Sequence, residues 1–410
     1  MPSKAWVLAG ATAAAIVAAV AWYGAGGDAP DAAPPGAAPA QPGGPQMLGM
    51  LGQGQGQGQG LPLPSGRAAQ LAQLKENFEL VDKTYCHYAG TTKYPNASRS
   101  IEEHPDQVYP NAPVTESHPM RTGNGRADAS IQIQTSQSRV YMASGEAVAF
   151  SVRAVDTDGK PVPMVISRAL AQGMTYAGVR ASAQVALPFA DDGQGVDAVS
   201  GDGAYAGVLA PAQTGLANFN GTIRTEVQYT AGGKKGFVLF DVIYTPELPA
   251  TWAGKATEVI EDGSLVYKIK ANVRIAGRYI VAGRVDDARG KPFAMATFND
   301  LLPSGPAEVR LLVFGKLMRD EQAALPLTLR DVEGYLLKED TNPDRALMPR
   351  LEGKVLVGKP HALTAFSQDE WQSEERSRHL TEFGKDVALA KSALARFDPA
   401  LPAPKSACLP

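Results

Sequence analysis

The sequence predicts a mainly β protein: two tandem β-sandwiches flanked by an N-terminal and a C-terminal helix, after a membrane anchor and a disordered tether. Three observations carry this. From Ser130 onward, short runs of alternating apolar and polar residues are separated by Gly, Asp and Pro turns, the pattern of a sandwich. One turn motif then occurs twice, about 130 positions apart, close to the length of one sandwich domain. Lastly, the first 66 residues combine an uncharged apolar run with a low-complexity stretch.

Residues 1–23 read as a signal anchor or a signal peptide. Ala5 to Tyr23 is a run of nineteen residues without a charge. A spanning helix needs about 20 apolar residues to cross roughly 30 Å of hydrocarbon. The run is rich in Ala and poor in Leu, Ile and Phe, so its insertion energy is modest. Lys4 and the amino terminus put the start on the cytoplasmic side. A cleaved signal peptide is the competing reading, with Ala19-Val20-Ala21 as an A-x-A site and Tyr23-Gly24-Ala25 as a weaker one. Trp22 and Tyr23 suit an interfacial aromatic belt and favour retention. No cysteine directly follows the run, which excludes a lipoprotein anchor.

Residues 24–66 are mostly Pro, Gly, Ala and Gln, with four consecutive Gln-Gly pairs from Gln53 to Gly60. Such a composition cannot bury enough apolar surface to offset its ordering entropy. As a random coil it would span about 35 Å. The expected location is therefore extracytoplasmic, with a membrane as partner through residues 5–23, or secreted after cleavage.

Net charge is -3, from 39 basic and 42 acidic residues. There is no basic stripe, which argues against nucleic acid as a partner. The two cysteines, Cys86 and Cys408, stand near opposite ends of the part expected to fold. In an oxidising compartment an even number favours pairing. The chain-entropy model gives such a bridge roughly 5–6 kcal/mol as an upper figure. Two separate thiols are the alternative.

Residues 67–127 read as a helix and an irregular connector. Leu71, Leu74, Phe78 and Val81 form one apolar stripe, placing the helix from Arg67 to Val81. Tyr85 to Arg126 lacks periodicity and holds five prolines and three of the five histidines. Residues 128–246 are the first sandwich. Ile131 and Ile133, then Val148, Phe150 and Val152, then Ile223, Thr225, Val227 and Tyr229 each alternate with polar neighbours. Phe237 to Tyr244 is apolar on both faces, as a central strand requires.

Residues 247–365 are the second sandwich, with strands around Leu265–Ile269, Tyr279–Val285, Ala294–Phe298 and Val309–Phe314. Leu325, Leu327 and Leu329 alternate around Pro326 and suggest an edge strand, where proline is tolerated. The repeated motif is Asp156-Thr157-Asp158-Gly159-Lys160-Pro161 in the first block and Asp287-Ala288-Arg289-Gly290-Lys291-Pro292 in the second. In both, Asp accepts backbone amides, Gly takes positive φ and Pro opens the next strand.

Residues 366–398 read as a C-terminal helix. Ser367-Gln368-Asp369-Glu370 fits a capping box, with Phe366 and Trp371 placed as a hydrophobic staple. Leu380, Phe383, Val387, Leu394 and Phe397 continue one stripe, and Pro399 stops it before the tail, residues 399–410.

The densest motif is the loop Asp191 to Tyr205, with four carboxylates and four glycines in fifteen residues. Asp191, Asp192, Asp197 and Asp202 are candidate calcium ligands, since calcium takes about six to eight oxygens. The spacing is not that of an EF-hand. A long turn in which Asp side chains hold backbone amides is the competing reading.

This loop resembles one found in bacterial immunoglobulin-like domains of the choice-of-anchor X kind. In the second block, Gly277-Arg278-Tyr279, Gly290-Lys291-Pro292, the Leu302–Gly305 turn and Val309 to Lys316 stand in the order of Ig-like modules found beside them. Ala324-Leu325-Pro326 departs from the Gly-Pro-Tyr that this pattern often has. The resemblance spans roughly residues 130–345. It implies an Ig-like fold and export, so the expected place is the bacterial inner membrane with the folded part in the periplasm. It implies no enzyme.

No catalytic set is legible. There is no H-E-x-x-H, no G-x-S-x-G and no P-loop. Asp156-Thr157-Asp158-Gly159 opens like a calcium loop but lacks the closing Glu. The expected function is a binding or structural module of the envelope, with a protein or cell-wall partner. A scaffold for an exported enzyme or secretion system is one alternative. A hydrolase using His87, His104 and His118 on the connector is the other.

Overall fold

The computed structural model describes residues 66–122, 126–175 and 182–409. The expected anchor at Ala5–Tyr23, its cleavage sites and the tether lie outside these residues. Among the described residues, no helix is long and apolar enough to cross a membrane.

Helix α1 (Arg67–Thr91) opens the described chain. It runs ten residues beyond the expected end at Val81. The stripe of Leu71, Leu74, Phe78 and Val81 continues through Tyr85 and Tyr88, and these cover the C-terminal helix. The connector is also less irregular than expected. It contributes β1 (Ser98–Ser100), two single-turn 3-10 segments, and β2 (Val114–Arg121).

The first sandwich follows, with β3 (Ala127–Gln137), β4 (Tyr141–Ala143), β5 (Val148–Asp156), β6 (Met164–Gly173), β7 (Gln184–Ala186), β8 (Ala204–Leu209), β9 (Gly221–Ala231) and β10 (Lys234–Thr245). One sheet has the order β2-β3-β5-β8 and faces the second, β4-β10-β9-β6-β7. Strand β2 therefore places the start of this sandwich in the connector, ahead of residue 128. Apolar side chains at every second position point inward. Phe150 and Phe240, from opposite sheets, meet with ring centroids 4.7 Å apart. Each such buried side chain contributes about 1.5–3 kcal/mol.

The second sandwich holds β11 (Ala250–Glu261), β12 (Ser264–Val273), β13 (Gly277–Asp286), β14 (Pro292–Leu302), β15 (Gly305–Val313), the short α2 (Gly315–Asp320), β16 (Thr328–Leu337), β17 (Arg345–Leu347) and β18 (Leu351–Val357). Sheet β11-β12-β15 packs on β1-β14-β13-β16, with β17 and β18 both paired to β16. Strand β16 is thus internal rather than an edge. Pro326 lies just before it, so no ladder bond is lost. The hydroxyl of the fully buried Tyr279 has the carbonyls of Ile275, at 2.6 Å, and Pro249, at 3.0 Å, as acceptors for its one proton.

The repeated turn has one geometry in both sandwiches. Oδ1 of Asp156 accepts the amides of Asp158 and Lys160, and Oδ1 of Asp287 accepts those of Arg289 and Lys291.

The last helix, α3, spans Glu374–Phe397. It starts later than the capping box at Ser367 suggested. Phe366 is drawn into the second sandwich core, 3% exposed, so it cannot staple a helix. Ser373 is the real cap, accepting the Arg376 amide, and Glu370 pairs with the Arg376 guanidinium instead. Helices α1 and α3 run antiparallel: Arg67 reaches the Phe397 carbonyl, and Arg376 reaches Thr92 and Ala89 at the other end. The tail then returns along α1. The Ala407 amide bonds Asp82, and Cys408 forms a disulfide with Cys86.

Candidate functional site

The described residues belong to one compact unit, and its two sandwiches meet across the connector. Arg284 on β13 is fully buried beneath the connector. Its Nε donates to the Gln107 carbonyl at 3.0 Å and its Nη2 to Gln107 Oε1 at 2.9 Å. Nη2 also reaches Glu333 Oε1 at 2.8 Å, and Nη1 the Asp331 carbonyl at 3.2 Å. Beside it, Arg330 donates to Asp286 and Asp331, each at 2.7 Å, under the Tyr109 ring. Burial works against the Arg330 charge, but the two carboxylates outweigh it and raise its pKa. Asp331 also accepts from Asn111 and from the Gly353 amide. A buried charge must be paired and hydrogen-bonded to be tolerated, and this network pins residues 107–111 to the second sandwich.

The first sandwich docks through Arg139 and Tyr141. The Arg345 guanidinium lies over the rings of Tyr141, at 5.0 Å, and Tyr335, at 4.8 Å. Its bond to Asp344 raises the Arg345 pKa and lowers that of the carboxyl. Arg350 Nη2 donates to the Tyr141 carbonyl at 3.2 Å. Arg139 pairs with Glu146 at 3.1 Å and with Glu352, on β18, at 3.0 Å.

Between these contacts lies a cleft of about 590 Å³. Ile280, Ala282 and Met295 make an apolar floor, with Tyr109, Val140 and Tyr335 around it. Tyr109 is 67% exposed, Val114 42% and Val140 39%. A concave, largely apolar site with a few placed polar groups is the usual form of a ligand site. Sequence reasoning missed this site, because its parts come from segments far apart in the chain, within residues 106–114, 138–141, 280–295 and 333–350. One signal was present: Ile280 and Ala282 alternate with core residues yet are apolar too.

The acidic loop joins β7 to β8. It brings together three of its four candidates. One carboxylate oxygen each from Asp191, Asp197 and Asp202 lie within 4.8 Å of one another. Asp192 stands outside the group, its Oδ1 occupied by the Gln194 amide. Asp191 accepts the amides of Gly201, Asp202 and Gly203, and Asp197, 8% exposed, those of Gly193 and Val199. Asp202 Oδ1 takes the Ala204 amide. Gly193 is required here: it has φ 71°, and a Cβ would fall 3.0 Å from the Ser200 backbone nitrogen. The carboxylates are largely committed to the loop's own amides, and Val196 and Val199 stand exposed.

The three connector histidines are not brought together. His87 is on α1, His104 lies between the two 3-10 turns and His118 is on β2.

No protein-family model matches the chain, and no curated protein matches it. Several solved structures show a distant likeness. A DUF4785 family protein from Legionella pneumophila is 11% identical, with 55% of this chain and 57% of that chain covered, at a TM-score of 0.37. This chain thus spans little more than half of that protein. Fibronectin(III)-like modules of CbhA from Clostridium thermocellum are 14% identical, over 56% of this chain and 98% of theirs, at 0.20. The Yersinia pseudotuberculosis adhesin InvE is 9% identical, over 52% and 58%, at 0.17. The choice-of-anchor X resemblance has no matching family model behind it.

Proposed function

We propose that the protein is an exported binding module of the bacterial envelope, held at a membrane through residues 5–23, and that it takes its partner in the cleft between its sandwiches. The observation that carries this reading is the exposed aromatic and aliphatic lining of a cleft whose walls are already fixed by paired arginines. A preorganised site spends less of its interaction energy on ordering. The Cys86–Cys408 bridge supports export, since disulfides persist in oxidising compartments. The partner is a protein or a cell-wall component. Scaffolding of an exported enzyme or secretion system would use the same surface. Hydrolysis by His87, His104 and His118 is disfavoured by their placement on separate elements.

A photo-crosslinking residue at Tyr109 in the full chain, expressed in cells, tests this reading. Leu239, exposed on β10, is the control position. Crosslinks at Tyr109 that are absent at Leu239 support the cleft. Equal labelling at both positions, or none at Tyr109 across growth conditions, counts against it.

A further inference from the structure

We infer that the ligand of this cleft carries a carboxylate on an apolar or aromatic body, with Arg350 as the anchor for the carboxylate; this rests on the cleft being the binding surface. Three arginines line the cleft: Arg139, Arg345 and Arg350. Two of them are already neutralised. Arg139 has Glu146 and Glu352 within 3.1 Å, and Arg345 has Asp344 at 2.8 Å. Arg350 differs. Its nearest carboxylate among the described residues is Glu333, at 3.8 Å, and Glu333 is hydrogen-bonded to the buried Arg284 at 2.8 Å. The Arg350 side chain is only 14% exposed and donates to a single neutral acceptor, the Tyr141 carbonyl. A guanidinium this enclosed gains most from a planar, bidentate anion. Asp106 is the other acidic residue of the lining, and the Gln107 amide already donates to it.

The floor selects the rest of the ligand. Ile280, Ala282 and Met295 sit on the outer face of the β14-β13-β16 sheet, where an antiparallel sheet usually presents polar residues to water. The volume, about 590 Å³, suits a small ligand or the end of a chain.

The test uses the full chain with labelled methionine methyl groups, since Met295 and Met348 both line the cleft. N-acetyl-L-phenylalanine should shift both signals saturably. N-acetyl-L-phenylalaninamide should bind at least about tenfold more weakly, as should the acid to Arg350→Gln, for the loss of one charge-assisted hydrogen bond. Ala282→Phe fills the floor while the chain keeps Arg350, and should abolish both shifts. Arg350→Lys should restore part of the preference for the acid. A pentapeptide ending in phenylalanine separates the two sources of this chemistry: tighter binding than the single residue identifies a chain end, equal binding a free acid. If acid and amide bind alike, or Arg350→Gln leaves the acid's affinity unchanged, the ligand class is wrong while the cleft still binds. If neither probe moves either methyl, the ligand class falls, and crosslinking at Tyr109 still decides the cleft.

Discussion

Arg345 stacks on Tyr141 with its guanidinium carbon 5.0 Å from the ring centroid, and this contact ties the second sandwich to the first. Tyr141→Ala removes the ring but keeps the carbonyl that Arg350 holds. The loss of one such contact is worth about 1 kcal/mol. Urea unfolding should show that decrease. Limited proteolysis should show faster cleavage of the connector near Tyr109. Unchanged cleavage would mean that Arg139 and Arg350 hold the joint without the ring.

Arg284 should matter more, because it is fully buried and satisfies both Gln107 and Glu333. Breaking a buried pair costs about 3–5 kcal/mol. The Glu333 side chain is 32% exposed, so water can serve its freed carboxylate. The lower end, about 3 kcal/mol, is therefore expected for Arg284→Met by urea denaturation. Adding Glu333→Leu should recover part of the loss; strictly additive effects would show that the two residues are not coupled.

The disulfide fastens the tail to α1 over a separation of 322 positions. Among the described residues, the packed core shared by α1 and α3 is small, with Phe78, Val387 and Leu394 as its buried apolar side chains. Replacing both Cys86 and Cys408 with serine should lower stability by about 2–5 kcal/mol. It should also make the tail beyond Asp398 the first site of proteolysis. Equal melting temperatures with and without reductant would show that the bridge contributes little.

The acidic loop can be separated into a turn and a metal site by one comparison. If the carboxylates serve the loop amides, Asp191→Ala costs about 1.5–3 kcal/mol whether calcium or chelator is present. That is the expected result, given its three amide partners. A melting temperature that rises with calcium, and loses the rise in Asp197→Ala, would instead establish a cation site.

Acid should act through Asp287. Burial pushes its carboxyl up, but the Arg289 side chain and the amides of Lys291 and Arg289 outweigh that and hold it below its ordinary value. A carboxyl depressed by folding adds stability above its unfolded value of about 3.9 and loses it as pH falls through the folded one. The wild-type urea midpoint should therefore drop below about pH 4, and Asp287→Asn should show a smaller drop over the same range. Equal drops would assign acid sensitivity to other depressed carboxyls, such as Asp320 and Asp344.

Much of the architecture was legible because it depends on local spacing. Alternation at Ile131–Ile133, Phe150–Val152 and Leu265–Ile269 marks strands, since side chains alternate across a pleated backbone. The Asp156 and Asp287 turns were legible because an Asx turn is built from its own few residues. The start of α3 was not. Ser367 has the right neighbours for a cap, but Phe366 is claimed by a sandwich core that no local pattern reveals. The far end of α1 was missed for the same reason: Tyr85 and Tyr88 look like connector until α3 lies against them.

The sequence by itself determined the two sandwiches, their turns, the flanking helices and the residues able to pair as a disulfide, since each follows from period, turn chemistry or composition. Only the tertiary structure decided that Gln107 caps a buried Arg284, that Tyr141 receives Arg345, and that Arg350 has its nearest carboxylate, Glu333, at 3.8 Å. Those contacts join residues far apart in the chain. Their energy comes from desolvated charge, which depends on what is packed around each group and not on its sequence neighbours.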